Sequence, residues 1–418
     1  MKIPSYIFPK YYSIELTKNQ KKKIPELGLF DSPEIIKRLK NIKKKVNDFN
    51  IESKNNYLKE MKELSKEEIK RKSYRIFDFT GNANFDRKIQ NKINEKGNFT
   101  NAWRKMFELC KTEEIIPDVK KVKHFDICCM PGAFILAINH YIKTEMKGSG
   151  YDWYGQSFTA TGKKKYFGDA LGLFQKNPEK LILGVSGDIT NPDNLNYYRY
   201  FFRNKKRNLI TSDCGLGGTE SHDYTRENQM LRIFFCQFLS GISVLEKGGN
   251  FLMKFYDFYS SFNVSFVYLM GLFFKEVKLV KPKSSRQPRG HEIYLFCKCF
   301  KDNLTEELYQ ELVELSSKLN LSRDLDKSIF DIRNIDFDIF EHIQDGLSEY
   351  YEDMMKRNLE ERKFTDRIIG VNVFGETELF LERREDLIKI FKPGVIKYLR
   401  NYVDRMDYKR IENKDKLI

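Results

Sequence analysis

Four residues of this chain could together strip a proton from a weakly acidic hydroxyl: Lys105, Asp213, Lys254 and Glu292. A weak acid gives up its proton to a side chain held at hydrogen-bond distance, and ammoniums and carboxylates set one another's charge states. Lys105 lies in Thr-Asn-Ala-Trp-Arg-Lys-Met (100–106), and Asp213 ends the apolar run Asn-Leu-Ile-Thr-Ser-Asp. Lys254 ends Gly-Asn-Phe-Leu-Met-Lys, and Glu292 opens Glu-Ile-Tyr-Leu-Phe-Cys. Each stands at the end of a segment with sheet-like patterning, so the four are expected to converge in one cleft. The competing reading is four ordinary salt-bridge residues.

The segments that must position them alternate between strand and helix patterns from Thr100 to Phe300. Strands are expected at His124–Met130, Asp152–Phe158, Leu181–Val185, Leu209–Ser212, Phe251–Phe255, Glu276–Val280 and Glu292–Phe300. Helices are expected from Gly132 to about Lys143, from Pro192, over Asp223–Lys247 with Gly248-Gly249 as the stop, and over Phe262–Phe274. Such alternation implies an α/β fold with a mostly parallel sheet covered on both faces. Residues 1–95 read as a basic, mostly helical region, with Ser32-Pro33 as a helix start. Residues 301–418 read as a helical extension: Thr305 caps a helix with Leu308, Leu312, Leu315 and Leu319 on one face, and Asp345–Lys363 is a second candidate. The working domain is therefore placed at 96–300.

One loop has the character of a cofactor site. Asp126-Ile-Cys-Cys-Met-Pro-Gly-Ala-Phe134 joins a strand to a helix, and Gly132 lets backbone approach a ligand closely. It is not Gly-x-Gly-x-x-Gly, and no phosphate-loop motif occurs in the chain, which argues against dinucleotide and nucleoside-triphosphate binding. A loop without a pyrophosphate cradle suits a nucleoside cofactor without phosphates, such as S-adenosylmethionine. Asp188 offers a carboxylate for an adenine edge, or else caps the following helix.

The 418 residues carry 74 Lys+Arg against 59 Asp+Glu, a net charge of +15. A polyanionic partner explains this excess, nucleic acid better than a membrane surface; a bias toward Lys, Asn, Ile and Tyr explains it as well. The runs Lys21–Lys23, Lys43–Lys45 and Lys163–Lys165 are an RNA track or solvated faces. Seven cysteines, an odd number mostly inside apolar runs, argue against a disulfide framework and for a reducing, cytoplasmic location. No Cys/His cluster has zinc spacing, so no metal is expected. No signal peptide or membrane span is expected either.

Assembled in order, these segments resemble the FtsJ-class RNA ribose 2′-O-methyltransferases. Residues 100–109 resemble the family's Ser-Arg-Ala-x-x-Lys-Leu helix, Asp126–Phe134 its cofactor loop, and Gly187-Asp188-Ile-Thr its second cofactor segment. Lys281-Pro-Lys-Ser-Ser-Arg286, followed by His-Glu292-Ile-Tyr, resembles its substrate hairpin. Phe235–Leu239 and Gly248–Asp257 look most like the mRNA cap methyltransferases of eukaryotes and large cytoplasmic DNA viruses. The resemblance spans residues 99–300. Two positions depart from the family: Ala133 stands where a second Gly follows Pro-Gly, and Gln156-Ser157 where bacterial members carry an acid for the ribose hydroxyls.

The resemblance implies a Rossmann-like S-adenosylmethionine-dependent methyltransferase acting on the ribose 2′-hydroxyl of a cap-adjacent nucleotide. Lys105, Asp213, Lys254 and Glu292 become its catalytic tetrad, with Lys254 as general base. Lys105 would lower the pKa of Lys254; Asp213 and Glu292 would raise it. Asp126, Pro131, Gly132, Ala133, Phe134, Asp188 and Asp213 would hold the cofactor. Ser285, Arg286 and Arg289 would grip RNA. Capped mRNA 5′ ends and other capping or transcription components are the implied partners. A ribosomal RNA 2′-O-methyltransferase, and a catalytically silent RNA-binding subunit of a capping or virion complex, remain as alternatives.

Overall fold

A computed structural model describes residues 8–20, 23–31, 37–46, 48, 89–95, 97–158, 168–215, 225–285, 292–319, 324, 326–369, 394 and 396–418. Ser32-Pro33, Lys163–Lys165, Arg286 and Arg289 lie outside the described residues. Seven strands form the main sheet: β1 Tyr12–Lys18, β2 Lys121–Ile127, β3 Gly150–Gln156, β4 Arg207–Ser212, β5 Leu245–Phe255, β6 Phe274–Lys281 and β7 Ile293–Phe300. Their order is β1-β6-β7-β5-β4-β2-β3. The pairings β2–β3, β2–β4 and β4–β5 are parallel; β5–β7, β6–β7 and β1–β6 are antiparallel. Five of the seven strands thus share one direction, and β7 reverses between β5 and β6. This is the Rossmann-like α/β sheet of S-adenosylmethionine-dependent methyltransferases.

The central strands are buried toward their carboxyl ends, and every residue of β4 is buried. That follows from helices on both faces. One face carries α1 Asn101–Thr112 and α2 Ala133–Glu145. The other carries α3 Pro192–Phe201, α4 Thr225–Val244 and α5 Ser261–Phe273. Each face has its own apolar cluster, one around Trp103, Phe107 and Ile138, the other around Phe235, Phe238 and Phe266. All thirteen residues of α5 are buried, because α7 (Phe337–Ile369) lies over it and over β1. α6 (Glu306–Lys318) is capped by Thr305, as expected, with Leu312, Leu315 and Leu319 buried.

Four expectations change. The N-terminal region supplies a strand: β1 pairs antiparallel with β6 and covers an edge of the sheet that would otherwise be open. The segment at Leu181–Val185 is reduced to a single bridge between Leu181 and Gly155, since Pro178–Lys180 turns just before it. The long helix stops at Val244, three residues short of the expected end, because Leu245 pairs with Arg207 and draws the chain into the sheet. Gly248-Gly249 then lies in an excursion within β5: Arg207 faces Leu245 but Leu209 faces Asn250, and Gly248 has φ +81°. Finally, β2 ends at Ile127, since Cys128 has φ +58° and turns the chain out of the ladder.

The C-terminal segment folds back onto α1 and α2. Leu399, Tyr402 and Met406 of helix 396–406 are buried, Asn139 Nδ2 donates to the Asp415 carbonyl (2.8 Å), and Ile411 N donates to Ile93 O (3.2 Å). All seven cysteines are free thiols. No described helix is long and apolar enough to cross a membrane.

Candidate active site

From β3 the chain crosses back past β2 to β4, so strand order reverses beside β2. In such sheets ligands bind in the crevice outside the carboxyl ends of the strands at that point. Ile127 of β2 and Ser212 of β4 are register partners there, and Asp213 N donates to Ile127 O at 3.3 Å. Asp213 is therefore at the crevice because β4 ends one residue before it.

The four candidate residues form two ion pairs. Lys105 Nζ lies 2.7 and 2.9 Å from the two carboxylate oxygens of Glu292, a forked contact. Lys254 Nζ lies 2.9 Å from Asp213 Oδ1 and donates to the Asp213 carbonyl at 3.0 Å. The lysine side chains are 11% and 9% exposed and both carboxylates 22%, so solvent reaches the cluster mainly from the carboxylate side. The pairs also act on each other. Burial alone would raise Glu292, but the ammoniums of Lys105, Lys254 and Lys281 hold its carboxyl down at about 2. Burial lowers Lys254, yet Asp213, Tyr256 and Glu292 outweigh it and raise the ammonium above the ordinary lysine value. The balance left open by the sequence thus falls on the side of a protonated Lys254.

A fifth charged group, missed from the sequence, lies beside the tetrad. Lys281, the last residue of β6, is fully buried, and its Nζ donates to the Glu292 carbonyl at 2.5 Å. Burial pushes it down to about 7, with Lys105 adding to the fall and Glu292 opposing it. The available signal was a lysine at the end of an apolar strand. Tyr256 is a second omission: a Cβ on Gly215 would lie 2.6 Å from its hydroxyl and 3.3 Å from Lys254 Nζ, so both side chains crowd the turn after Asp213.

The cofactor-type loop is braced from β3. Gln156 accepts from Cys128 N (3.1 Å) and donates to the Gly187 carbonyl, and Cys129 N donates to Gln156 O (2.9 Å). Gln156 is fully buried, and its side chain is taken up by the backbone of Cys128 and Gly187. Gly132 has φ +96°, and a Cβ there would meet Leu173 Cδ2 at 2.4 Å. Ala133 and Phe134 are buried in the first turn of α2. Asp126 lies at the end of β2, 1% exposed; it accepts from the Thr211 hydroxyl at 2.6 Å, and burial raises its carboxyl well above the ordinary aspartate range. Asp188 Oδ1 accepts from Thr190 N (2.9 Å) and Oγ1 (2.8 Å), while Asn191 is the actual cap of α3. Phe158 and Val185, which no motif marked, are large apolar side chains left 55% and 74% exposed. A Cβ on Gly187 would meet Phe158 Cα at 3.3 Å and Ser157 O at 2.2 Å, so the turn at Gly187-Asp188 abuts the end of β3.

Ser285 is turned inward: it is buried, and its hydroxyl donates to the Pro282 carbonyl at 2.9 Å.

A testable consequence concerns Gly132. Gly132→Val places a branched side chain at positive φ and against Leu173, so it is expected to lower Tm as well as cofactor affinity. Leu173→Ala in the same chain should recover part of the Tm but not the affinity. Thermal melts and calorimetry of the single and double variants check this; an unchanged Tm in Gly132→Val would refute the packing role.

Fold and crevice together define a Rossmann-like α/β domain with two partly buried ion pairs at the strand switch point. Residues 99–300 match the family described as FtsJ-like methyltransferase, and the chain carries an FtsJ-like methyltransferase domain. It is 30% identical over 244 residues to a "Probable methyltransferase EP424R" of African swine fever virus, covering 54% of this chain and 55% of that one. It is 27% identical over 244 residues to a "Cap-specific mRNA (nucleoside-2'-O-)-methyltransferase 1" of Danio rerio, covering 56% of this chain and 27% of that one. The chain thus spans about half the length of the viral relative and less of the fish one. Among solved structures, a ribosomal RNA methyltransferase, putative by its own description, from Plasmodium falciparum is 19% identical, covering 48% of this chain and 97% of that one at a TM-score of 0.29. That superposition adds nothing to what the strand order shows.

Proposed function

We propose that this chain is an S-adenosylmethionine-dependent RNA ribose 2′-O-methyltransferase acting on a cap-adjacent nucleotide of mRNA. The observation that carries the reading is the pair of ion pairs, Lys105–Glu292 and Lys254–Asp213, at the crevice of an FtsJ-like domain. Lys254 is the base that takes the 2′-hydroxyl proton, Asp213 aims it, and Lys105 with Glu292 frames the opposite side of the hydroxyl. The turn Ser-Asp-Cys-Gly (212–215) has no proline or aromatic residue to grip an extruded base, which favours the ribose as target.

S-Adenosylmethionine fits the crevice. Gly132 and Gly187 let backbone approach a ligand, and the exposed faces of Phe158 and Val185 offer apolar surface for an adenine. The backbone of Pro131–Phe134 would hold it at the N-terminus of α2, with Asp188 and Asp213 at the rim and Asp126 bracing the loop from below. Bound there, the cofactor supplies an electrophilic methyl group. RNA is gripped by Arg286 and Arg289 after Ser285, and the charge of +15 supports a polyanionic substrate. Cap specificity rests on relatives named as cap-specific mRNA methyltransferases. Other capping or transcription components are the natural partners of such an enzyme, and the cytoplasm its place of action.

Methyl transfer to capped and uncapped transcripts of one sequence, with nuclease digestion and mass spectrometry of the product, tests this. The expected product carries a 2′-O-methyl on the first transcribed nucleotide, with uncapped RNA a poor substrate. Equal activity on uncapped RNA would reassign the enzyme to other RNA, such as ribosomal RNA. A methyl on a base would sink the ribose assignment, and no transfer at all would leave a silent RNA-binding subunit.

A further inference from the structure

Glu108 lies one helical turn beyond Lys105 on α1, so the two side chains share a face. It is 1% exposed, a carboxylate set among Met106, Phe107, Leu109 and Cys110, which are all buried too. Such a group persists only if its oxygens are satisfied. Three donors meet it: Lys283 N–H at 2.8 Å, Ser284 N–H at 2.9 Å and the Tyr402 hydroxyl at 2.9 Å. The two amides belong to the turn that leaves β6, closed by Ser285 N donating to Pro282 O at 3.2 Å. The hydroxyl belongs to C-terminal helix 396–406. At the far end of the same β6–β7 connection, Lys105 forks onto the Glu292 carboxylate and Lys281 donates to its carbonyl. One face of α1 therefore grips the connection at both ends, Glu108 at the start and Lys105 at the finish.

We propose that Glu108, braced by Tyr402, is a positioning residue that sets the direction in which the chain leaves β6, and with it the placement of substrate against the tetrad. Helix 396–406 is thereby part of the working enzyme. A carboxylate suits this task because it accepts from two adjacent amides and a phenol at once. An amide in its place would turn one donor toward another. The link to substrate rests on the RNA reading above, in which the β6–β7 connection grips phosphates.

Full-length Glu108→Gln, Glu108→Asp, Tyr402→Phe and the Gln/Phe double variant test the inference. Steady-state kinetics use capped RNA, and hydrogen exchange follows the amides of 283 and 284. Glu108→Gln is expected to raise KM for RNA about tenfold, the scale set by one orphaned buried donor, with kcat nearly unchanged and cofactor affinity intact. The two amides should exchange faster. Tyr402→Phe should move both readouts the same way but less, Glu108→Asp should recover part of the loss, and the double variant should fall short of the summed effects. If Glu108→Gln does not fold, Tyr402→Phe carries the test, since it leaves both backbone bonds in place. An active wild type with unchanged KM in these variants would overturn the proposal. So would unchanged exchange at 283–284, or a loss confined to kcat and Tm. A wild type that transfers no methyl to RNA would instead sink the function, and the exchange data would still judge the brace.

Discussion

Replacing Lys254 with alanine is expected to abolish methyl transfer while S-adenosylmethionine still binds. Lys254 stands at the end of β5, its Nζ in contact with both the carboxylate and the carbonyl of Asp213. If it is the general base, turnover should fall by at least the ~10²–10⁴-fold that proton transfer contributes. The loop proposed to hold the cofactor lies between β2 and α2 and is braced from β3, so cofactor affinity by calorimetry should hold. Removing the ammonium also leaves the half-buried Asp213 without its cation, which costs some stability. Lys254→Met keeps the aliphatic stem and separates that cost from the chemistry. More than a tenth of wild-type turnover in a folded Lys254→Met enzyme would remove Lys254 from the role of base.

Asp213→Asn should move the pH profile in a defined direction. In the free enzyme burial lowers the Lys254 ammonium, but Asp213, followed by Tyr256 and Glu292, raises it above the ordinary value. A base that is protonated at rest makes kcat/KM climb with pH, and that profile reports the free enzyme. The wild-type curve should therefore still be rising in the alkaline range. With the carboxylate gone, the first-ranking opposing effect, burial, gains ground and the Lys254 pKa falls. The rising limb should shift to lower pH and end on a lower plateau, because the amide no longer aims the amine. Rates of both enzymes between pH 6 and about 10 decide it. A limb that stays in place, or moves to higher pH, would show that another group controls the profile. Lys281 is the candidate to examine then, since burial brings it to about 7 beside Glu292.

Much of this was legible in the residues themselves. The central strands read as apolar runs because helices cover both of their faces, and α6 announced itself through Thr305 and its leucines. Asp213, Lys254 and Glu292 were legible because each ends or begins a strand-like segment, whereas Lys105, expected at the end of a sheet-like segment, lies inside α1. Two of the changed elements were hidden because their pairing partners are distant in sequence. β1 reads as a short polar stretch, and only β6, some 260 residues on, makes it a strand. The helix before β5 gives way at Leu245 because Arg207 pairs there. Glu108 has no local signal, because its partners Lys283, Ser284 and Tyr402 come from segments 175 or more residues away.

By itself the sequence determined the alternation of strand and helix, the identity of the four charged residues and the loop at Asp126–Phe134, since local spacing and turn chemistry suffice for these. Only the tertiary structure decided who pairs with whom: Lys105 with Glu292, Lys254 with Asp213, and Gln156 with the backbone of Cys128 and Gly187. It also decided charge. The state of Lys254 or Lys281 depends on how much water is excluded and which carboxylates stand within a few ångströms, and neither is a property of neighbours along the chain.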